Sequence, residues 1–106
     1  MDELVLQGVQ FPEFVPYVTY NGLGPIDGRQ VLLFFPNGYG ASIILGSFSY
    51  GLEMAILQGT HDKYELTYDT GIAEDVLGYL QPIDVREYLQ LIKDLPPYTR
   101  ELTSQK

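Results

Sequence analysis

Few side chains in this sequence can do acid–base or nucleophilic chemistry. It holds one histidine, His61, together with six lysine and arginine residues and no cysteine. Asp62 follows His61, and a carboxylate that orients an imidazole is a pairing used in general-base catalysis. However, Gly59 and Thr60 before the pair are typical of a solvated hairpin turn, and adjacent strand residues point to opposite faces. We therefore interpret His61 as a turn residue and expect no enzymatic activity, with a small hydrolase or metal enzyme as the least favoured alternative.

A group of carboxylates is the second feature with potential for chemistry. Asp69, Glu74 and Asp75 lie close together in the sequence, and clustered oxygen ligands suit hard divalent cations. Their spacing matches no calcium-binding loop, because the alternating ligands, the central glycine and the later glutamate are missing. We expect these acids to cap a helical turn, and the sequence predicts no metal and no other cofactor.

The composition is unusually rich in tyrosine, with nine residues in a chain of 106 that has no tryptophan. Tyr39 and Tyr50 fall in two successive predicted loops, at opposite ends of a two-stranded ladder. Loop tyrosines offer rigid amphipathic contact area at low entropic cost, and interfaces are enriched in them. We take Tyr39 and Tyr50, with the three acids, as candidate binding residues. Packing of each ring over its own hairpin stays an alternative.

The charge balance narrows the classes of partner. With 14 acidic and 6 basic side chains the formal net charge is −8, which disfavours direct binding to nucleic acid or to an anionic membrane. Most of the acids lie in the C-terminal half, and such a surface allows an alternative function as an acidic mimic of nucleic acid. That mimic would occupy the basic groove of a DNA- or RNA-binding protein. The lack of cysteine and of a basic, apolar leader predicts the cytoplasm.

Two apolar runs, at 31–35 and 41–45, are the clearest strand signals. Between them Asn37-Gly38 predicts a tight hairpin with positive φ at both residues. The unbroken apolarity of the runs predicts strands that are covered on both faces. The turn also cuts the uncharged segment 30–52 into pieces too short to span a membrane.

The remaining elements complete an α+β fold. Strands are expected at 52–57 and 63–68, the latter at a sheet edge, and 72–80 fits either a helical turn or a strand. A helix over 82–95 follows from Pro82 in the first turn and from apolar residues at helical spacing, which are Val85, Tyr88, Leu89, Ile92 and Leu95. We predict one domain over residues 1–106, an antiparallel β-meander of about four strands at 30–68 packed by one C-terminal helix. Residues 1–28 are expected to form an irregular edge segment, and 98–106 a mobile tail.

The chain contains three distinctive segments, which are NGYGAS at 37–42, FSYG at 48–51 and YDTGIAEDVLGYL at 68–80. These segments resemble a group of small uncharacterised proteins of bacteriophages and prophages. The resemblance covers roughly residues 36–95 and implies a hairpin meander, an acidic turn and a closing helix. It carries no assigned activity, and it implies a setting in the cytoplasm of an infected bacterium.

The residues and the resemblance together lead to one functional expectation. We expect a non-enzymatic protein-binding module, a phage accessory protein that acts on an unidentified host protein. Direct contact with nucleic acid or a membrane is not expected. Formation of a homo-oligomer is left open.

Overall fold

The computed structural model describes residues 3–24, 28–46 and 51–98. The described chain contains a six-stranded antiparallel sheet, a separate two-stranded hairpin, a 3-10 helix and one C-terminal α-helix, which confirms the α+β class. In chain order the elements are β1 (Val5–Leu6), β2 (Val9–Gln10), the 3-10 helix (Pro12–Tyr17), β3 (Val18–Leu23), β4 (Arg29–Phe34), β5 (Tyr39–Leu45), β6 (Leu52–Thr60), β7 (Lys63–Leu66), β8 (Leu77–Leu80) and α1 (Pro82–Lys93).

The sheet contains the predicted meander and two further strands. Its strand order is β3-β4-β5-β6-β7. Both β7 and β8 pair with the same side of β6, β7 with its C-terminal half and β8 with its N-terminal half. The four expected strands correspond to β4–β7, and β7 lies at an edge as predicted. Residues 77–80 form a strand, and no helical turn occurs at 72–76, so the expectation that the acids there cap one is wrong. Of the predicted tail at 98–106, all but Tyr98 lies outside the described residues.

The turn between β4 and β5 differs from the expected hairpin. The Phe35 N–H donates to the Tyr39 carbonyl over 2.8 Å, and the Gly38 N–H donates to the Phe35 carbonyl over 3.2 Å. Gly38 has a φ of 88°, whereas Asn37 does not have a positive φ, so the predicted positive-φ pair is wrong. The reason is Pro36, whose fixed φ suits the second residue of a type I turn, after which one left-handed glycine returns the chain to the strand.

Helix α1 packs across β5 and β6 with the predicted apolar stripe. Val85, Leu89 and Ile92 are completely buried, and Tyr88 packs partly buried against the same core. The Gln81 N–H donates to the Asp84 carboxylate over 2.9 Å and completes a capping box at the first turn. The helix stops at Lys93, two residues before the predicted end.

Asn37 joins the β4–β5 turn to the C-terminus of this helix. Its Nδ2 lies 2.8 and 3.1 Å from the carbonyl oxygens of Ile92 and Lys93, in the last turn of α1 where carbonyls lack partners one turn further on, and 3.2 Å from that of Leu95 just after the helix. Its Oδ1 accepts the Tyr39 N–H over 3.0 Å. One amide side chain therefore fixes the turn and caps the helix.

The N-terminal elements pack on the same side of the sheet as α1. Leu4, Leu6, Phe11 and Phe14 are almost completely buried and belong to the main core cluster. Phe35 ties the 3-10 helix to this core, with its ring centroid 6.2 Å from that of Phe14. All of the described elements outside the sheet thus cover one of its faces.

Arg86 of α1 fastens the N-terminal segment. Its Nε donates to Glu13 Oε2 over 2.7 Å, its Nη2 donates to the Gln10 carbonyl, and its guanidinium carbon lies 4.4 Å from the Phe11 ring centroid. The hydrogen bond from Arg86 lowers the pKa of Glu13 against the opposing effect of burial. The helix and the N-terminal segment are therefore linked by charge as well as by apolar contact.

Candidate functional site

The face of the sheet that points away from α1 is the candidate site. Strand pairing assigns residues to this face, since Leu32 lies opposite Ser42, and Phe34 lies opposite Gly40. An antiparallel sheet with one face in water normally carries polar side chains there. Here six large apolar or aromatic side chains share the face and remain partly or largely exposed; this set, called the open face below, comprises Tyr20, Leu32, Phe34, Ile44, Tyr64 and Leu66.

The open face has a packed centre of its own. Leu57 is only 2% exposed there, although it does not belong to the core cluster on the α1 side. The Phe34 and Tyr64 rings approach to 5.1 Å between centroids, and they reach across the two intervening strands. Gly40 permits this, because an added Cβ would lie 2.9 Å from Phe34 Cδ1. The two rings therefore form a fixed aromatic surface on this face.

The outer positions of the open face remain accessible to solvent. Leu66 is 50% exposed, and Tyr20 and Tyr64 are each 43% exposed. Among the described residues none of the elements outside the sheet packs on this side. The prediction of burial on both faces is therefore wrong for β4, where buried and half-buried residues alternate, whereas the centre of β5 is buried on both faces from Gly40 to Ile43. The physical reason is that α1 and the short N-terminal segment both pack on the apolar residues of the other face. Together they are large enough to cover only that side of the sheet.

Polar groups are few on the open face. Gln30 Nε2 donates to Ser42 Oγ over 3.0 Å, which satisfies a hydroxyl in a residue that is only 7% exposed. Glu53, opposite Ile44, is exposed and places a negative charge at the border. The face is thus a largely apolar surface with an acidic border, and its chemistry is that of contact rather than of proton transfer.

Tyr39 lies on the other side of the sheet. It is the first residue of β5, it is half-buried against the main core, and its ring lies 5.8 Å from that of Tyr98 in an edge-on arrangement. The Tyr98 N–H donates to the Asn37 carbonyl over 2.7 Å, which holds the second ring in place. The Tyr39 ring is therefore held against the core and the segment after α1, rather than projecting freely from a loop. Tyr50 lies outside the described residues.

The three candidate acids are all exposed in the irregular segment between β7 and β8. Asp75 Oδ1 accepts the Val76 N–H over 2.7 Å, and the Asp69 N–H donates to Thr67 Oγ1 over 3.3 Å. In the parts of the chain that the structure describes, no hydrogen bond or ion pair joins Asp69, Glu74 and Asp75 to one another or to Tyr39. Those parts also contain no group of three or more histidine, aspartate or glutamate residues placed to hold a metal ion.

His61 and Asp62 form the turn between β6 and β7, as expected from the sequence. His61 Nε2 lies 3.2 Å from Asp62 Oδ1, and the two side chains are 62% and 83% exposed. The expectation that they point to opposite faces is wrong, because both occupy the turn rather than a strand. Both side chains are therefore largely solvated.

Sequence reasoning missed the open face because the apolar runs of β4 and β5 show no alternation. One signal was present in the neighbouring positions. Gly40, Ser42 and Ala55 put small residues on the same face in adjacent strands, which leaves room for larger rings to fold over them. Only the pairing of β5 with β6 brings those small residues side by side.

Comparison with known proteins adds no relative. No protein-family model matches the chain, no curated protein matches it, and no solved structure matches it. Within the described residues, neither helix has the length and apolarity needed to cross a membrane.

Proposed function

We propose that the chain is a non-enzymatic protein-binding module that docks another protein on the open face. In the bacterial setting that the phage resemblance implies, this partner is a host protein. The single observation that carries the proposal is the partial exposure of six apolar or aromatic side chains on a sheet face where polar residues are normal. Contiguous exposed apolar surface of this kind is typical of interaction sites.

The residue types of the open face suit protein recognition. Tyrosine and phenylalanine are enriched at interfaces because a rigid ring buries a large area with little loss of side-chain freedom. Phe34 and Tyr64 already hold each other in place at 5.1 Å, so less entropy is lost when a partner covers them. Glu53 at the border and the net charge of −8 favour a partner whose apolar patch is bordered by basic groups.

A capture experiment with matched variants tests the proposal. The bait is the whole chain on a resin, exposed to bacterial lysate, with retained proteins quantified by mass spectrometry. Leu32→Lys places a charge in the middle of the open face, and Leu66→Lys places one at a half-exposed position. Leu91→Lys is the matched control, since Leu91 is 52% exposed on α1 and Leu66 is 50% exposed.

We expect a discrete set of proteins to be retained by the wild type and by Leu91→Lys and to be lost with both open-face variants. Thermal melts of all four chains check that each variant is folded before capture. Equal retention by the open-face variants would overturn the assignment, as would the absence of any protein enriched over the empty resin.

A salt series in the same experiment separates the acidic mimic from the apolar contact. Retention through the open face should persist between about 50 and 300 mM salt, because apolar burial is not screened. A partner that occupies a basic groove with its acids should dissociate over that range. If retention of the partner is lost at high salt but is unaffected by Leu32→Lys, the function as an acidic mimic of nucleic acid replaces the proposed docking on the open face.

A further inference from the structure

The edge strands β3 and β7 are protected to different degrees. An edge strand presents unpaired backbone groups that another strand can join, and proteins block such edges with bulges or with local contacts. The β3 edge has an irregularity between Val18 and Tyr20, and the Tyr20 hydroxyl donates to the Leu23 carbonyl over 2.8 Å. The β7 edge is regular from Lys63 to Leu66 and all four of its residues are exposed.

The hydrogen bonds of the neighbouring strand show which backbone groups of β7 point outward. The Gly59 N–H donates to the Gly38 carbonyl over 2.8 Å, on the β5 side, so Gly59 and its opposite residue Tyr64 exchange no backbone bonds. The Thr67 N–H donates inward to the Ile56 carbonyl over 2.9 Å. Since strand residues alternate, Tyr64 and Leu66 direct their N–H and C=O groups away from the sheet, and within the described residues these groups have no partner.

The side chains of β7 select one way for this edge to pair with itself. About a two-fold axis through Tyr64, an antiparallel pair places Lys63 of each copy opposite Glu65 of the other. If Glu65 lay on the axis instead, the Glu65 carboxylates of the two copies would face each other. If Lys63 lay on the axis, the two Lys63 ammonium groups would face each other. Opposite charges stabilise cross-strand pairs and like charges destabilise them, so both neighbouring registers are disfavoured.

We propose that β7 pairs antiparallel with β7 of a second copy of this chain, with Tyr64 opposite Tyr64 and Lys63 opposite Glu65. The contact is isologous, as in most homodimers. Paired residues share a face, so the open faces of the two copies join into one surface with Tyr64 and Leu66 of both copies at its centre. Among the registers centred on Lys63, Tyr64 or Glu65, this is the one in which the charges of β7 are complementary.

The short strand makes the dimer weak and dependent on concentration. Sedimentation velocity of the purified chain from about 10 μM to 1 mM should show the mass rise towards twice that of one chain. Lys63→Glu leaves only carboxylates at the two pairs, and Glu65→Lys leaves only ammonium groups. Each change replaces two attractive pairs by two repulsive ones, so we expect each variant alone to raise the dimer dissociation constant by about tenfold or more.

Charge restoration distinguishes the proposed register from a general effect of charge. A mixture of Lys63→Glu with Glu65→Lys restores both opposite-charge pairs, so it should form a heterodimer near the wild-type affinity. The double variant, which exchanges the two charges within one chain, should also dimerise. Glu87→Lys is the control for Glu65→Lys, since Glu87 is exposed on α1 and the change in net charge is the same.

Three outcomes would overturn the proposal. They are a wild-type chain that stays monomeric at about 1 mM, a mixture that associates no better than its components, and an equal loss of association with Glu87→Lys. Circular dichroism of every variant confirms that the comparison is made on folded chains. The measurement contains no other protein, so its failure is distinct from a failure of the lysate capture.

Discussion

Asn37 shows how one polar residue connects parts of the chain that are far apart in sequence. Its amide nitrogen reaches two carbonyls in the last turn of α1 and one just after it, and its amide oxygen accepts the Tyr39 N–H. A helix end leaves its last carbonyls without intrahelical partners, so a side chain that donates to them stabilises both elements. A substitution at this position is therefore expected to lower stability by leaving backbone carbonyls without hydrogen-bond donors, and not only by removing packing contacts.

Replacement of Asn37 tests this cap. Asn37→Ala should lower the free energy of unfolding by about 1–2 kcal/mol, because the carbonyls of α1 lose their donor. Asn37→Asp keeps the acceptor for the Tyr39 N–H but places a negative charge beside the negative end of the helix dipole, so its loss should be at least as large. Urea denaturation measures both, and an aspartate variant as stable as the wild type would contradict the assigned role.

The turn between β1 and β2 contains a residue in an unfavourable conformation. Gln7 has a φ of 49° and Gly8 a φ of 83°, the pair of positive angles found in a type I′ hairpin. Asn tolerates this conformation better than Gln, so Gln7→Asn should raise the unfolding free energy by up to about 1 kcal/mol. Gly8→Ala should lower it by about 1 kcal/mol through φ alone, since nothing lies within 4 Å of the added Cβ. Thermal melts of the two variants should shift in opposite directions.

At the scale of elements, Arg86 makes α1 hold the N-terminal segment by several contacts at once. The ion pair with Glu13 is partly exposed, with side-chain exposures of 34% for Arg86 and 44% for Glu13, so its Coulomb energy is reduced by solvent. The guanidinium also covers the Phe11 ring and donates to a carbonyl of β2. Loss of the arginine therefore affects more than a charge pair.

The Glu13 carboxylate gives this link a dependence on pH. Its pKa in the folded protein is lowered from the ordinary value of 4.5, first by the hydrogen bond from Arg86. The contribution to stability is thus complete above pH 4.5 and is lost as the pH falls through the lowered value. Glu13→Gln should be less stable than the wild type at about pH 7, and the difference should shrink by about pH 3. Urea denaturation at both pH values measures it, with Glu53→Gln as the control for removal of one carboxylate.

The attachment of α1 to the sheet depends on its buried stripe. Leu89 is completely buried, whereas Leu91, two positions away, is 52% exposed. Leu89→Ala should lower the unfolding free energy by about 2–5 kcal/mol through lost burial and the cavity left behind. Leu91→Ala should change it by less than about 0.5 kcal/mol. Chemical denaturation of the pair provides the comparison, and similar losses at both positions would show that the helix does not pack as described.

At the scale of the whole molecule, the protein has one covered and one uncovered sheet face. The N-terminal hairpin, the 3-10 helix and α1 all contribute to the core on one side. The other side keeps apolar side chains and has its own small packed centre at Leu57. The proposed docking of a partner and the proposed pairing of β7 both follow from this asymmetry, because each would remove apolar or backbone groups from water.

Local signals in the sequence were sufficient for the elements that depend on local geometry. The spacing of Val85, Leu89 and Ile92 determined the helix and its buried stripe, because residues three and four apart share one face. The apolar runs around Pro36 and Gly38 determined the β4–β5 hairpin. The alternation at 63–68 determined the edge strand, because a sheet edge tolerates polar residues that its centre does not.

Only the tertiary structure decided which surfaces are left free. The period of a strand assigns its residues to two faces but does not say which face another element will cover, and here that choice depends on residues 3–17 folding over the same side as α1. The donation from Asn37 to the end of α1 spans more than fifty residues, and no local pattern encodes it. The outward direction of the Tyr64 backbone follows from a hydrogen bond between Gly59 and Gly38 in neighbouring strands. These features arise from contacts between distant segments, so they are fixed by the packing of the whole chain.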